Sequence, residues 1–558
     1  MSTRLWMWTL AALVALLGAA LYVPVAALAL KVPIAALALL VPPDAVEHLA
    51  IAHAWIHGAG FVDPVQWFYS IQDPPPVPGF AVRAPIISLL AAASFALGSS
   101  LESLFVQHAV FAALVGSAVF AVSAQLMRPG SALLCALAVV ISPAWGRLAT
   151  VPLTEITSVL AVCIVLAVSP SVGRSLPGSV LCAVATVAAW AARPNLGVLF
   201  PAVLLGSAWN LGLRARKNWS WWVYALSFPV LLLGISGAVK MATDLAPYAG
   251  YGHATVVLST GDALQYRLPR SEWPDFLWSH RNAIVEQMGL RAVQMALALA
   301  GPYFNGLAWL ILPGILYGVR RGVKATTLRT NCSLFTLGTI AAVVMTYAAF
   351  DPVRYPFLPF VLGTLCGFAL LDDLALALER RIPRRWLPVA RMIALVSFLG
   401  WLAMGPLEKT RDYTMSAEDT LPAGSDFEER LPPIAQACPL LRPPGIVAAE
   451  RAGSANVWAV HLWCGNPTIT LPVRIHAPGV AQRFLAERRV AYVVMRGPAS
   501  WGEGALSLVA QNGGVRVYRV GDRPAHRWTP PPPLICASRR VSCEERGGYV
   551  IPVRAHPP

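Results

Sequence analysis

Charge is scarce in this chain. Of its 558 residues only 13% are Asp, Glu, Lys or Arg, while 56% are hydrophobic, and the mean hydropathy is +0.59. Soluble domains carry about 25% charged residues, so the composition excludes an ordinary soluble protein and leaves a polytopic membrane protein. Acidic residues are the scarcer sign, 28 against 43 basic, for a net charge of +15. The excess does not point to nucleic acid. Lys and Arg fall in short clusters between apolar runs, which is topology information. Also missing are a GxxxxGK[ST] phosphate loop, a GxGxxG turn opening a βαβ unit, an HExxH pair and any C-x2-C pair. Their absence argues against an ATP-driven pump and against a nucleotide-sugar enzyme with a Rossmann core. No solenoid-type repeat is apparent.

The first apolar stretch runs from Leu5 to Val41, too long for a cleaved signal peptide, whose core spans about 7–15 residues. Basic clusters recur at Arg4, Arg128, Arg174, Arg214/Arg216/Lys217, Arg320/Arg321/Lys324/Arg329 and Arg380/Arg381/Arg384/Arg385/Arg391. Reading the apolar runs between them as membrane spans gives about eleven, at 5–30, 104–127, 131–148, 152–170, 177–192, 196–212, 220–241, 292–318, 331–349, 356–378 and 387–407. Every basic cluster then lies on the cytoplasmic face. The run Pro85–Gly98 is too short to span and reads as an interfacial or re-entrant helix in a first external loop, 42–103. An alternative splits 5–41 into two short spans near Pro24 and Lys31, adds a span at 85–101 and moves Asp44 to the cytoplasm.

The expected architecture is therefore a polytopic α-helical membrane domain over 1–407, with juxtamembrane helices in its first loop, and a small extracytoplasmic α/β domain over 408–558. The runs GIVAAE, WAVHLW, AYVVM and VRVYRV read as strands, and APGVAQRFLAER as a helix leading into AYVVM. Five of nine cysteines (Cys135, Cys163, Cys182, Cys332, Cys366) lie in or beside apolar runs, as small buried thiols do. The other four (Cys438, Cys464, Cys536, Cys543) permit disulfides in an oxidising compartment, in three possible pairings.

The residues that carry chemistry collect on the face poor in basic clusters. In PPDAVEHLAIAHAWIHGAGF, spacings of three and four put Asp44, Glu47 and His48 on one helical face at the membrane boundary. Such a cluster suits a general base or a divalent-cation site. The plainer reading is an amphipathic helix with its polar stripe wet, and a third is a soft-metal pair made by His53 and His57. Glu155 opens a span in VPLTEIT, where the plain role is to favour the helix dipole. Arg193 and Arg354 stand at outer span ends, where a guanidinium fork matches phosphate and snorkelling to headgroups is the alternative. Arg83, Arg267, Arg270 and Arg281 are weaker phosphate candidates. The loop 242–291 holds Tyr248, Tyr251, His253, Tyr266, Trp273, Trp278 and His280, a composition that suits a sugar ring or an interfacial aromatic belt.

The order of these motifs resembles the GT-C superfamily of integral-membrane glycosyltransferases, which includes protein O-mannosyltransferases and the bacterial transferase that adds aminoarabinose to lipid A. The similarity covers about residues 1–405. An acidic residue starts the juxtamembrane helix (PPDAVEH), a charged-plus-proline element follows (VRAP), a later span opens on an acidic residue (LTEIT), an Arg-Pro step stands mid-chain (ARPN) and a Tyr/Pro element comes late (VRYPFLPF). The resemblance implies transfer of a sugar, with inversion, from a polyprenyl-phosphate donor to a lipid, glycan or protein acceptor on the outer face of the inner membrane. It implies Asp44 and Glu155 as catalytic acidic residues, and as the ligands of any divalent metal ion. Arg354 or Tyr355 would lie near the donor phosphate, and Glu47, His48, Arg83 and Arg193 complete the expected substrate-binding set. The lipid A transferases carry a glutamate two residues before the loop proline, where this chain has Arg83, which puts their type of metal site in doubt. A transporter or lipid-linked-saccharide flippase is the rival class. It favours ionisable residues near the bilayer midplane, whereas only Lys31, Lys240 and the pair Asp372/Asp373 approach that here. A non-catalytic scaffold presenting the C-terminal domain is a third reading.

Overall fold

The computed structural model describes residues 3–28, 43–66, 75–243, 275, 278–279, 281–304, 307–321, 327–346, 351–383, 386, 388–389, 392–393, 396–398, 400, 432–442, 445–450, 456–471, 480–499, 501, 505–512, 514–521, 531–539, 541–546 and 549–555. In chain order these form α1 (Thr3–Leu28), α2 (Pro43–Ile56), β1 (Val62–Asp63), β2 (Val65–Gln66), β3 (Val77–Pro78), α3 (Gly79–Val82), α4 (Pro85–Ala96), α5 (Leu101–Leu126), α6 (Pro129–Val140), α7 (Pro143–Ala149), α8 (Thr154–Val168), α9 (Leu176–Ala192), α10 (Leu199–Leu211) and α11 (Trp219–Thr243). There follow α12 (Arg281–Ala300), α13 (Ala308–Arg321), α14 (Thr327–Thr346), α15 (Arg354–Glu379), α16 (Pro433–Ala437), β4 (Ile446–Ala449), α17 (Val457–Cys464), β5 (Thr468–Thr470), α18 (Val480–Glu487), β6 (Val490–Met495), β7 (Leu506–Asn512), β8 (Val515–Val520), β9 (Val541–Arg546) and β10 (Tyr549–Ala555).

Among the described residues seven helices are long and apolar enough to cross a membrane, or eight if α6 and α7, bent by 64°, count as one span. The chain is an integral multi-pass membrane protein. Its helices differ from the expected eleven spans in several places. The stretch 292–318 is two helices, α12 and α13, because Gly301 and Pro302 break the run and a residue before proline is driven out of helical geometry. Helices α9 and α10, of 17 and 13 residues, are shorter than the roughly 20 residues that cross a bilayer. The last expected span, 387–407, lies largely outside the described residues, as does Lys31. Pro24 sits inside a continuous α1, and Pro85–Ala96 is a short apolar helix, as its length required.

The chain divides into two compact units, and neither is contiguous in sequence. The first comprises Met1–Ala26, Val106–Gly237 and Val285–Thr420; the second Ala27–Phe105, Ala238–Ile284 and Leu421–Pro558. In this division the first loop is grouped with the tail, whereas the sequence reading places a boundary at 407/408.

Helices of the first unit pack through small residues, which let backbones approach. A Cβ at Gly314 of α13 would lie 2.5 Å from the backbone nitrogen of Gly367 in α15, so only glycine fits. The acidic pair of α15 is neutralised. Asp372 accepts from Arg128 Nε (2.7 Å) and Ser131 Oγ (2.6 Å), while Asp373 accepts from Tyr317 Oη (2.7 Å) and from Arg329.

The second unit is built on a six-stranded sheet of order β2-β5-β4-β6-β8-β7. Strands β2, β5, β4 and β6 run parallel, and β8 and β7 are antiparallel additions. Strand β2 comes from the first loop, so the loop supplies the edge of the tail's sheet. The sheet packs on α18 through Ile446, Ile469, Phe484, Leu485, Val490 and Val493. WAVHLW, expected as a strand, is helix α17. A short apolar run is ambiguous by period, and here Asn456 caps its start while Gly465, at φ +71°, ends it in the left-handed region. Disulfides join Cys438 to Cys464 and Cys536 to Cys543, and the five remaining cysteines are buried thiols.

Candidate functional site

Among the described residues, the sequence-predicted site residues fall in two charged clusters, one in each unit. In the second unit, Pro43 and Asp44 begin α2, where a carboxylate meets the positive end of the helix dipole. One turn on, Glu47 faces the same way and is fully buried, at 0% exposure. Arg83 follows α3 in extended conformation and is 4% exposed. Its guanidinium donates to Glu47 Oε2 and pairs with Asp44 Oδ1 at 3.1 Å. The second Glu47 oxygen, Oε1, accepts from the indole Nε1 of Trp458, on α17, at 3.0 Å. Asp44 is the accessible member, its side chain 22% exposed.

Asp63 of β1 is buried beside this group. Its Oδ1 accepts from the Val65 amide at 2.9 Å, while Oδ2 has no partner. Burial pushes the Glu47 carboxyl up to about 7, against the pull of Arg83 and with a further push from Asp44. Burial also holds Asp63 well above the carboxylate range, and the Glu47 charge adds to this. Three carboxyl groups share one guanidinium, so the cluster favours keeping a proton.

His48, expected with Asp44 in the substrate set, is buried and hydrogen-bonds Ser88 of α4 through Nδ1 (3.1 Å). Position 48 is one residue round the helix from 47, and its ring ties α2 to α4. His53 and His57 do stack, with ring centroids 4.4 Å apart, but burial lowers His53 to about 3, with the His57 and His461 charges adding to the shift.

The cluster in the first unit is centred on Glu155, the second residue of α8 and 1% exposed. Its Oε1 meets Arg354 Nε at 2.9 Å and Arg193 Nη1 at 3.5 Å, while Oε2 has no partner. Arg193 ends α9 in extended conformation and Arg354 begins α15. Asp351 Oδ1 caps the start of α15 by accepting from the amides of Val353 (2.8 Å) and Arg354 (3.0 Å). Tyr355 follows, half-buried. Glu155 thus contacts two guanidinium groups and is closed to solvent.

Sequence reasoning missed three polar residues. Trp458 and Asp63 carried no local signal. Arg291 interrupts the apolar face of α12 and is 3% exposed; its Nη1 donates to the Val344 carbonyl (3.3 Å) and its Nε and Nη2 have no partner. Val344 lies near the end of α14 and Arg354 at the start of the adjoining α15, so Arg291 and Arg354 stand at the same end of that helix pair.

Asp44 and Glu155 each face guanidinium groups, whereas hard cations need several oxygen ligands. Among the described residues no group of three His, Cys, Asp or Glu side chains is placed to hold a metal. In the expected aromatic loop, Tyr248, Tyr251, His253, Tyr266, Arg267, Arg270, Trp273 and His280 lie outside the described residues. Arg281 stacks over the Trp278 ring at 4.6 Å.

No protein-family model matches the sequence, and a search of curated proteins gives no match. Solved structures do match. The archaeal oligosaccharyltransferase AglB from Archaeoglobus fulgidus, in the apo form, superposes with a TM-score of 0.52 at 12% identity, over 88% of this chain and 70% of that one. Its complex with an inhibitory peptide and a dolichol-phosphate gives 0.51 at 14% identity, over 88% and 69%. The chain shares its fold with this oligosaccharyltransferase. ArnT from Cupriavidus metallidurans bound to undecaprenyl phosphate covers 93% of this chain and 98% of its own at 15% identity, but its TM-score of 0.48 adds nothing to the assignment. At such identities the likeness shows the fold alone. What the chain does rests on its own side chains.

Proposed function

We propose that the protein is a glycosyltransferase that moves a sugar from a polyprenyl-phosphate donor to a hydroxyl acceptor on the extracytoplasmic face of the inner membrane. The observation that carries this reading is the graded burial around Arg83: Asp44 is accessible, while Arg83, which pairs with it, and Glu47, on the far side of Arg83, are closed to solvent. A carboxylate fixed on its protein side and open on the other is arranged to accept a proton. Support for the donor class comes from the shared fold, since one GT-C neighbour was solved with a dolichol-phosphate.

In the proposed reaction the acceptor oxygen attacks the anomeric carbon. The bond from that carbon to the phosphate oxygen breaks, polyprenyl phosphate leaves with the electron pair, and the acceptor proton passes to Asp44. In the first unit, Arg193, Arg354 and Arg291 offer guanidinium groups of the kind that bind phosphate. Glu155 carries one negative charge against two guanidinium groups. Neutralising a leaving phosphate is usually the main electrostatic task in such transfers. No metal ion enters the scheme. Two disulfides in the tail support an oxidising, extracytoplasmic location for it.

The test is to incubate the purified protein, in lipid nanodiscs, with polyprenyl-phosphate sugars and an envelope extract. Free polyprenyl phosphate and labelled acceptor appearing in equal amounts support the reading. Movement of intact donor across a liposome membrane without cleavage would favour a flippase instead.

A further inference from the structure

Glu47 is reached from both ends of the second unit's sequence. Arg83, from the first loop, takes Oε2, and Trp458, from the tail, takes Oε1 at 3.0 Å. Trp458 is buried and its helix is fixed at both ends. Asn456 Oδ1 accepts from the Ala459 amide at 2.8 Å, and Cys464, the last residue of α17, is disulfide-bonded to Cys438. His461, one turn after Trp458, is bound through Nδ1 to the Asn466 carbonyl (2.8 Å), so the indole is the group this helix offers to Glu47.

A fully buried carboxylate oxygen that loses its donor bears the desolvation cost alone. The carboxyl then holds its proton more tightly, and a protonated Glu47 is a poor partner for Arg83. The guanidinium is left to Asp44, and a tight Arg–carboxylate pair is a weaker base.

We propose that Trp458 is a positioning residue for sugar transfer: its indole holds Glu47 through Oε1, which keeps Arg83 divided between Glu47 and Asp44. The tail thereby takes part in the reaction through the base it orients, without touching substrate. This rests on the reading of Asp44 as general base.

The test uses the full-length protein in nanodiscs and the variants Trp458→Phe, Glu47→Gln and Asp44→Asn. The groups facing Glu47 are Asp44 on its own helix, Arg83, Asp63 on β1 and the Trp458 indole. The indole hydrogen bond lowers the Glu47 pKa, so Trp458→Phe is expected to move the pH inflection of kcat upward. It should also lower kcat at neutral pH by roughly ten- to a hundredfold, the loss typical of a hydrogen bond to a charged group, with donor KM unchanged. A wild-type kcat and inflection in Trp458→Phe, while Asp44→Asn is inactive, would overturn the clamp and leave the base assignment standing. An active Asp44→Asn would overturn the base assignment itself. The pH dependence of thermal unfolding reads the same titration without catalysis. Its inflection moves up in Trp458→Phe if the clamp exists, and an unmoved inflection overturns it. If Trp458→Phe does not fold, Glu47→Gln keeps the shape and removes the charge. A comparable fall in kcat is then expected, and wild-type kcat in that variant overturns the proposal.

Discussion

Arg354 and Glu155 stand 199 residues apart in sequence and 2.9 Å apart in space, and the same carboxylate oxygen lies 3.5 Å from Arg193. Removing one member of a buried ion pair leaves the other uncompensated, at a cost of about 3–5 kcal/mol. Glu155→Ala should therefore lower membrane accumulation and thermal stability by about that amount. Arg354→Lys should retain the fold but raise the donor KM about tenfold, because an ammonium lacks the fork that matches phosphate. Thermal unfolding and initial rates check the two outcomes. An unstable Arg354→Lys with a normal KM would assign that arginine to structure alone.

Glu47 sets a pH dependence whose sign can be worked out. Its folded-state pKa is raised from an ordinary 4.5 to about 7. A raised pKa means that the folded state binds the proton more tightly. The associated stability is full below the unfolded value and lost as pH rises through the folded one. Asp63 shifts in the same direction. The protein should thus become less stable between about pH 4.5 and 7, and Glu47→Gln should flatten that slope. Melting temperatures across the range measure it.

The tail depends on its disulfides. Cys438 and Cys464 close a loop with a sequence separation of 26, for which chain entropy gives a stabilisation of about 3.5 kcal/mol. Cys438→Ser should destabilise the protein by about that amount, and because α17 is anchored there, transfer should fall with it. Differential scanning fluorimetry with and without reductant reads the first effect.

Topology is open to direct labelling. Ile56, at the end of α2, is exposed, whereas Ala45 is fully buried and a probe there would not react. A cysteine at position 56 should react with a membrane-impermeant maleimide in intact cells. Protection until the cells are opened would put α2 in the cytoplasm.

Much of the fold was legible because its signals are local. Apolar runs mark the helices, and the spacing of Asp44 and Glu47 is enough by itself to put them on one face. The motif order around Asp44, Glu155, Arg193 and Arg354 carried the GT-C resemblance, and three of those residues do form one ion-paired cluster. The rest was hidden for physical reasons. Hydropathy averages over the Gly301–Pro302 break, so α12 and α13 read as one span. An apolar hexamer such as WAVHLW has no period long enough to separate strand from helix. The pairing of Val65 with Thr468 and of Glu47 with Trp458 joins segments some 400 residues apart, and nothing in either segment announces its partner. Asp63 reads locally as a turn residue before a proline. Its burial comes from the tertiary fold.

The glycosyltransferase assignment is tested most directly by single-turnover transfer from a synthetic polyprenyl-phosphate sugar, comparing the wild-type protein with Asp44→Asn. Removing a general base is expected to cost about 10²–10⁴ in the rate of sugar transfer, with donor binding and membrane accumulation unchanged. A wild-type rate in Asp44→Asn would contradict it.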